Sequence, residues 1–251
     1  MANDPFNSSP PAGGYTLGSS VDAGLQAFMQ GIYRTMCWGL AVTGGTAYAV
    51  ANVPALNQFF LQPVVTIVVF IATIILSFTM TPYRTGLFRG GNNFASGTPI
   101  PAASIQTRFL IFSVLFGLLS TWIFQVYTGS SIARTFFITA ATFAGTSLYG
   151  YTTRRDLTSM GSFMVMGLWG IMIAMLVNIF LHSAMVYFVT SILSVIIFTG
   201  MTAWETQSVK QMYRAGDRQA NDALSVVVAF NLYLNFINLF MSILRLTGDR
   251  R

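Results

Sequence analysis

The chain has 251 residues, of which 54% are hydrophobic and only 8% are charged. A soluble domain usually carries about a quarter charged residues, so the composition excludes a soluble protein and makes lipid the solvent for much of the surface. The net charge of +6 comes from basic residues in short segments between apolar runs, which is typical of membrane topology and argues against nucleic-acid binding.

The first 30 residues are polar and rich in Asn, Pro, Gly and Ser. They lack the basic start and the apolar core of a secretory signal peptide. We therefore predict that residues 1–30 form a disordered tail on the cytoplasmic side, and that residues 31–251 form the membrane domain.

Seven apolar runs follow, and none of them contains a charged residue. Each is close to the ~20 residues that a helix needs to cross the hydrocarbon core, whereas the strands of a barrel would be about half as long. The sequence therefore predicts an all-α membrane protein with seven transmembrane helices. The runs are 35–53, 59–81, 109–127, 135–151, 160–181, 185–204 and 223–244.

Basic residues are concentrated in alternate loops, which predicts the orientation. The loops that follow the first, third and fifth runs hold only Arg134, at a helix boundary. By the positive-inside rule the other loops face the cytoplasm, and so does the N-terminus. These cytoplasmic loops follow the second, fourth and sixth runs and hold Arg84, Arg89, Arg108, Arg154, Arg155, Lys210, Arg214 and Arg218.

The C-terminus opposes this pattern. Seven crossings place it outside, yet it carries Arg245, Arg250 and Arg251. Either the last segment is re-entrant and returns to the cytoplasm, or the inner loops outweigh the tail. We favour a full seventh crossing.

The polar residues of the last two runs form the candidate site. Glu205 ends the sixth run within the string Thr-Ala-Trp-Glu-Thr-Gln at 202–207. In the seventh run Asn231, Asn235 and Asn238 are spaced i, i+4 and i+7 and share one helical face. We expect these amides to face another helix or water rather than lipid. Two interpretations stay open, interhelical hydrogen bonds of ~0.6 kcal/mol each or the lining of an ion path.

The depths of these residues limit their contact. Glu205 lies at the cytoplasmic edge of its run, whereas Asn235 is 12 residues into its own, about 18 Å deep. Direct contact requires the sixth helix to continue towards Lys210 or Arg214, the seventh helix to begin earlier, or a water-filled vestibule to link the two side chains.

Other polar residues are interpreted as structural. Asn178 in the fifth run and Gln125 in the third fit interhelical hydrogen bonds. Asp156 follows Arg155 in a loop, where a local ion pair or a helix cap is expected. The chain has one cysteine and one histidine, and we find no nucleophile–base pair or metal-ligand cluster, so we predict no enzymatic activity and no cofactor.

Three segments carry a more specific pattern. They are Ser-Leu-Tyr-Gly-Tyr-Thr-Thr-Arg-Arg-Asp-Leu at 147–157, the string at 202–207, and Leu-Tyr-Leu-Asn-Phe-Ile-Asn-Leu-Phe at 232–240. In this order, on seven apolar runs, they resemble the Bax inhibitor-1 family, also called the transmembrane Bax-inhibitor-motif family, in its bacterial branch. The resemblance covers nearly everything after the tail. It implies six helices around a central seventh, in a bacterial inner membrane.

The resemblance also implies a pH-sensitive calcium leak, gated by two proton-sharing aspartates on the sixth and seventh helices and latched by an arginine. Two adjacent carboxylates in a low dielectric do not both ionise easily. This sequence has Glu205 at the first position and Asn235, which does not ionise, at the second. The shared-proton mechanism therefore does not carry over intact. The arginine position falls near Thr81, and Arg84 is the nearby candidate for the latch.

Two functions follow as hypotheses. The first is a cation leak channel, for calcium, with altered pH gating, in which Glu205 makes a weak Ca²⁺ contact and the asparagine face lines the path. The second is a non-transporting regulator that binds a membrane quality-control protease through the polar tail, as some bacterial members of the family do. The expected partners are thus the lipid bilayer, Ca²⁺ or H⁺, and such a protease.

Overall fold

The computed structural model describes residues 16–88, 102–213 and 218–251, and these residues are almost entirely helical. A 3₁₀ turn at Ser120–Trp122 joins α4 to α5, and an isolated β-bridge pairs Tyr127 with Arg250. The helices are α1 (Thr16–Asn52), α2 (Pro54–Phe60), α3 (Pro63–Phe88), α4 (Ala102–Leu119), α5 (Ile123–Val126), α6 (Gly129–Thr152), α7 (Thr158–Leu181), α8 (Ala184–Met212) and α9 (Arg218–Thr247).

Five of the described helical segments are long and apolar enough to cross a membrane, which confirms the prediction of an all-helical membrane protein. The helices α1 and α6 are long but do not belong to this group, because their apolar runs are diluted with Gly, Ser and Thr. The number of crossings therefore stays a prediction. The five segments are Pro63–Met80, Ala102–Val126, Thr158–Leu181, Ala184–Met212 and Ala220–Thr247.

Helix α9 lies at the centre of the described part of the molecule. Of the residues in its apolar window, 78% are buried, against 6% in α7. It packs against α1, α3, α4, α6 and α8, whereas α7 packs mainly on α8. A helix that is apolar on all sides is typical of a position inside a bundle.

Aromatic rings fill the contact between α9 and α4. Phe230 and Tyr233 of α9 are fully buried, and Phe112 of α4 meets the Phe230 ring edge-on at a centroid distance of 4.9 Å. The Tyr233 hydroxyl lies 2.6 Å from Thr43 Oγ1 of α1, which donates in turn to the carbonyl of Ser113 at 3.0 Å. The buried phenol is thus satisfied, and three helices are joined at one point.

The tail boundary predicted at residue 30 lies inside α1. The described helix begins at Thr16, and Phe28 and Met29 are buried. The Phe28 ring packs at 5.5 Å from that of Tyr213. Residues 25–36 repeat apolar side chains with helical spacing, so they bury one face although the neighbouring composition is polar. Residues 1–15 lie outside the described part.

The turn between α7 and α8 corrects the interpretation of Asn178. Its Oδ1 accepts a hydrogen bond from the backbone N–H of Ser183 at 3.0 Å, so its amide closes a turn rather than joining two helices along their length. His182 ends α7 in the left-handed conformation, with φ of 50°. Gln125 does link two helices, because it donates to Asn57 of α2 at 2.9 Å.

The C-terminal residues pack against the junction of α5 and α6. Thr128 N–H donates to the Asp249 carbonyl at 3.1 Å, and Arg251 N–H donates to Val126 at 2.9 Å. Arg134 forms an exposed ion pair with Asp249 at 2.8 Å. Helix α9 runs without reversal to this end of the bundle, opposite the loop between α6 and α7, which agrees with a single pass rather than a re-entrant segment.

Gly150 of α6 faces α8 so closely that a Cβ would overlap the backbone of Ala203. We expect Gly150→Ala to destabilise the protein by about 1–3 kcal/mol, because backbone atoms on both sides would have to move apart. Thermal unfolding in detergent measures the loss. Gly145→Ala on the same helix is the control, since nothing lies within 4 Å of its Cβ position. Equal melting temperatures for the two variants would contradict close α6–α8 packing.

Candidate functional site

The string at 202–207 lies in α8, where successive residues contact different parts of the molecule. Ala203 presents its backbone to Gly150 of α6, and the Trp204 ring occupies the space beside Gly161 of α7. Small residues let helices approach closely in a membrane. Ala203 and Trp204 therefore fix α8 between α6 and α7. The next residue, Glu205, contacts α9.

Glu205 contacts Asn235 directly. Asn235 Nδ2 donates to Glu205 Oε2 at 2.8 Å, and each residue is only 4% exposed. Direct contact required a longer sixth helix, an earlier start of the seventh, or a vestibule. The first two hold, because α8 continues to Met212 and α9 begins at Arg218. The apolar runs end and begin several residues away from the helix ends, which is why hydropathy placed the two side chains at different depths.

The three asparagines do not form one buried ladder. Asn231 is 3% exposed, and within the described ranges its Oδ1 has no hydrogen-bond partner. Asn238 is exposed, and its amide donates to the backbone carbonyl of Leu234 at 2.8 Å. The structure thus places Asn231 and Asn235 in the interior and Asn238 at the surface. Helical phase sets the direction of a side chain but not the depth at which a neighbouring helix covers it.

A chain of hydroxyl groups lies beside the Glu205 contact. Tyr33 of α1 donates to Ser147 of α6, whose Oγ lies 3.1 Å from Thr206 Oγ1. Thr206 donates in turn to the carbonyl of Thr202 at 2.8 Å. This chain was not predicted, although Ser147 and Thr206 belong to two of the three specific segments. It joins α1, α6 and α8 one residue from the carboxylate.

Gln207 holds the loop between α6 and α7. Its Oε1 accepts from Leu157 N–H at 2.8 Å, and its Nε2 donates to the Arg155 carbonyl at 2.7 Å. Arg155 therefore acts through its backbone. Lys210, one turn further on, donates to the carbonyl of Tyr151 and lies 5.2 Å from the centre of that ring. Together these contacts attach the end of α8 to the end of α6.

Asp156 acts locally at the start of α7. Its Oδ1 accepts hydrogen bonds from the hydroxyl of Thr158 at 2.6 Å and from the Thr158 N–H at 2.9 Å. The hydroxyl contact first, and the backbone contact second, lower the pKa of the Asp156 carboxyl. Asp156 thus makes local hydrogen bonds at the start of α7, where Leu157 occupies the N-cap position.

The candidate latch is only partly located. Arg84 lies in α3, but its side chain lies outside the described set, so its role stays a prediction.

Comparison with known proteins decides the family. A family model described as "Inhibitor of apoptosis-promoting Bax1" matches residues 25–251, which include all three specific segments. The chain belongs to the Bax inhibitor-1 family. The resemblance seen in the sequence is thereby confirmed, and the protein is a multi-pass integral membrane protein.

Bacterial relatives align over nearly the whole chain. An uncharacterized protein of Rickettsia prowazekii is 41% identical over 92% of this chain and 92% of its own length. An uncharacterized protein of Caulobacter vibrioides is 38% identical, again over 92% of each chain. The inner membrane protein YbhL of Escherichia coli is 38% identical over 91% of this chain and 94% of its own.

Removing the Gln207 side chain should loosen the α6–α7 loop. We expect Gln207→Ala to cost about 1–3 kcal/mol of unfolding free energy, because the Leu157 N–H would be left buried without a partner. Hydrogen exchange of that amide should accelerate along with the fall in melting temperature. The control is Gln211→Ala at an exposed position of the same helix. Unchanged exchange at Leu157 would refute the role of Gln207.

The Asp156 contact predicts a pH-dependent contribution to stability. Its folded pKa is below its ordinary value, so the stabilisation is present above about pH 4 and is lost as the pH falls through the folded pKa. The melting temperature of Asp156→Ala should thus lie below that of the wild type near neutrality and converge with it in acid. Thr158→Val, which removes the hydroxyl donor, should reproduce part of the difference. A gap that stays constant with pH would contradict this account.

Proposed function

We propose that this protein is a cation leak channel of the Bax inhibitor-1 type, with the contact between Glu205 and Asn235 as its closed gate. The observation that carries the proposal is the burial of that contact between α8 and the central helix α9. A carboxylate inside a membrane domain is costly, and such residues commonly mark ion pathways. Glu205 is the one acidic side chain that is buried among the described residues.

The oxygen atoms near this contact suit a hard cation. Ca²⁺ prefers carboxylate and amide oxygens, and it takes six to eight of them, waters included. Asn231 lies one helical turn before Asn235 on α9 and carries a buried Oδ1 without a partner in the described part. Glu205, Asn235 and Asn231 thus supply one full charge and two dipoles, enough for weak and transient binding rather than a permanent site.

The gate differs in its chemistry from a pair of aspartates. A carboxylate and an amide include a single titrating group, and no like-charge repulsion separates them as the pH rises. The Asn235 amide donates to the Glu205 carboxyl group, and a hydrogen bond of this kind is stronger when its acceptor is ionised. We therefore infer a leak with weaker pH dependence than a two-carboxylate gate, opened by separation of α8 from α9.

The proposed topology completes the assignment. The seven long helices each cross the bacterial inner membrane once, with α9 in the centre and the loop between α6 and α7 in the cytoplasm together with the N-terminus. The arginines of that loop support this orientation through the positive-inside rule. At the opposite end, Asp249 offsets the charge of Arg134. The role is transport, with no catalytic step.

Calcium flux into liposomes tests the proposal with three purified proteins. Glu205→Gln should lower the initial flux at least about tenfold, because it removes the charge that attracts the cation. Asn235→Asp should make the flux of the reconstituted protein depend more steeply on pH between about pH 6 and about pH 8, since two adjacent carboxylates share a proton. The wild type should show a measurable leak with a shallow pH profile.

The matched control is Asn238→Asp, which adds the same carboxylate to α9 at an exposed position. It should keep the shallow pH profile of the wild type. Flux from all proteins equal to that of empty liposomes would reject transport and favour the regulatory role, in which the Glu205 contact is structural. Equal pH profiles for Asn235→Asp and Asn238→Asp would reject the gate.

A further inference from the structure

A large cavity separates α1 from α6. Its volume is about 680 Å³, within the range of about 300–1,000 Å³ that is usual for ligand pockets. Both helices pack on α9 but meet each other mainly through the Tyr33–Ser147 hydrogen bond. Phe236 of α9 lies in the floor of the cavity, and Met36 and Phe143 line its walls. The gap is therefore a lateral recess in the bundle.

The recess opens towards the lipid. Cys37 lines it and is exposed, and Leu148, also in the lining, is 63% exposed. Both residues lie inside the apolar runs 35–53 and 135–151, so in the proposed topology hydrocarbon rather than water surrounds the opening. A ligand that reaches the recess from this side is an apolar chain.

One end of the recess is polar and lies next to positive charge. Gln26, Gln30 and Tyr151 form this end. Lys210 holds its ammonium 5.2 Å from the Tyr151 ring centre, and Arg155 follows in the adjoining loop. An anionic group at the head of an apolar chain would complement this end, whereas a neutral chain would leave it unused.

We propose that the α1–α6 recess binds one acyl chain of a membrane phospholipid, with the phosphate at the end lined by Gln26, Gln30 and Tyr151, beside Lys210. Lipid tails are as apolar as the walls, so the chain gains little from burial alone. Retention depends instead on the fit of the recess and on the charge at its polar end. The site does not depend on cation transport, and its test is separate.

An acyl chain bound in the recess would affect the contact between Glu205 and Asn235. Tyr33 and Ser147 line the recess, and their hydrogen bonds continue to Thr206, the neighbour of Glu205 on α8. A chain that holds α1 and α6 apart at a fixed distance keeps this hydroxyl chain in place. The recess thereby connects the surrounding lipid to the position of α8.

Filling the recess tests the proposal. Ala144 lines it from α6, whereas Ala141 is an exposed alanine of the same helix outside the lining. Native mass spectrometry after delipidating purification should show one retained phospholipid on the wild type and on Ala141→Phe. Ala144→Phe should lose it at least about tenfold more readily, because the ring occupies the space of the chain.

Equal retention by the two phenylalanine variants would overturn the site. So would an adduct with the mass of a fatty acid or of detergent, since the proposal requires the phosphate. Melting temperatures of both variants show whether each is folded.

A second measurement uses the wild-type chain, in which Cys37 is the single cysteine. Alkylation by a lipid-soluble maleimide should be fast in delipidated micelles and should slow when long-chain phospholipid is added. Glycerol phosphate, which lacks the chains, should give no protection. Labelling that proceeds at one rate with and without phospholipid would overturn the proposal even if Ala144→Phe does not fold.

Discussion

The burial of α9 is the constraint on which the rest of the structure depends. Lipid offers no hydrogen-bond partner, and two buried polar side chains of the central helix are satisfied by surrounding helices. Tyr233 forms a hydrogen bond with Thr43 of α1, and Asn235 forms one with Glu205 of α8. These hydrogen bonds position α1 and α8 against α9. The apolar rings around Phe230 fill the space between the helices.

The site follows from the same constraint. Glu205 accepts a hydrogen bond from Asn235 of the central helix, whereas Ala203 and Thr206 contact α6 and Trp204 contacts α7. Burying a carboxylate in a membrane domain costs more than burying an amide or a hydroxyl. The proposed role of the charge in attracting a cation is consistent with this cost, and so is the buried Oδ1 of Asn231, which has no hydrogen-bond partner in the described part.

Much of the fold was predictable, because hydropathy reports the solvent of a helix directly. The apolar run at 223–244 predicted α9, and the resemblance to the Bax inhibitor-1 family predicted its central position. Features that depend on tertiary contact were not predictable. Helix α1 begins at Thr16, and its residues Phe28 and Met29 are buried in the core. The local composition does not reveal this tertiary contact. Asn238 shares the phase of Asn235 but is exposed. The hydroxyl chain from Tyr33 joins residues 114 positions apart.

The central place of α9 has a consequence for how the protein is made. A ribosome delivers the helices in chain order, and the one that forms the core follows all of its neighbours. Until it arrives, the faces that α1, α4, α6 and α8 present to α9 lack that partner, although α1 contacts α4 and α6 contacts α8. We expect the complete bundle to form only once α9 has been added. Premature termination ahead of residue 218 would leave a shell without its core, a natural target for membrane quality control.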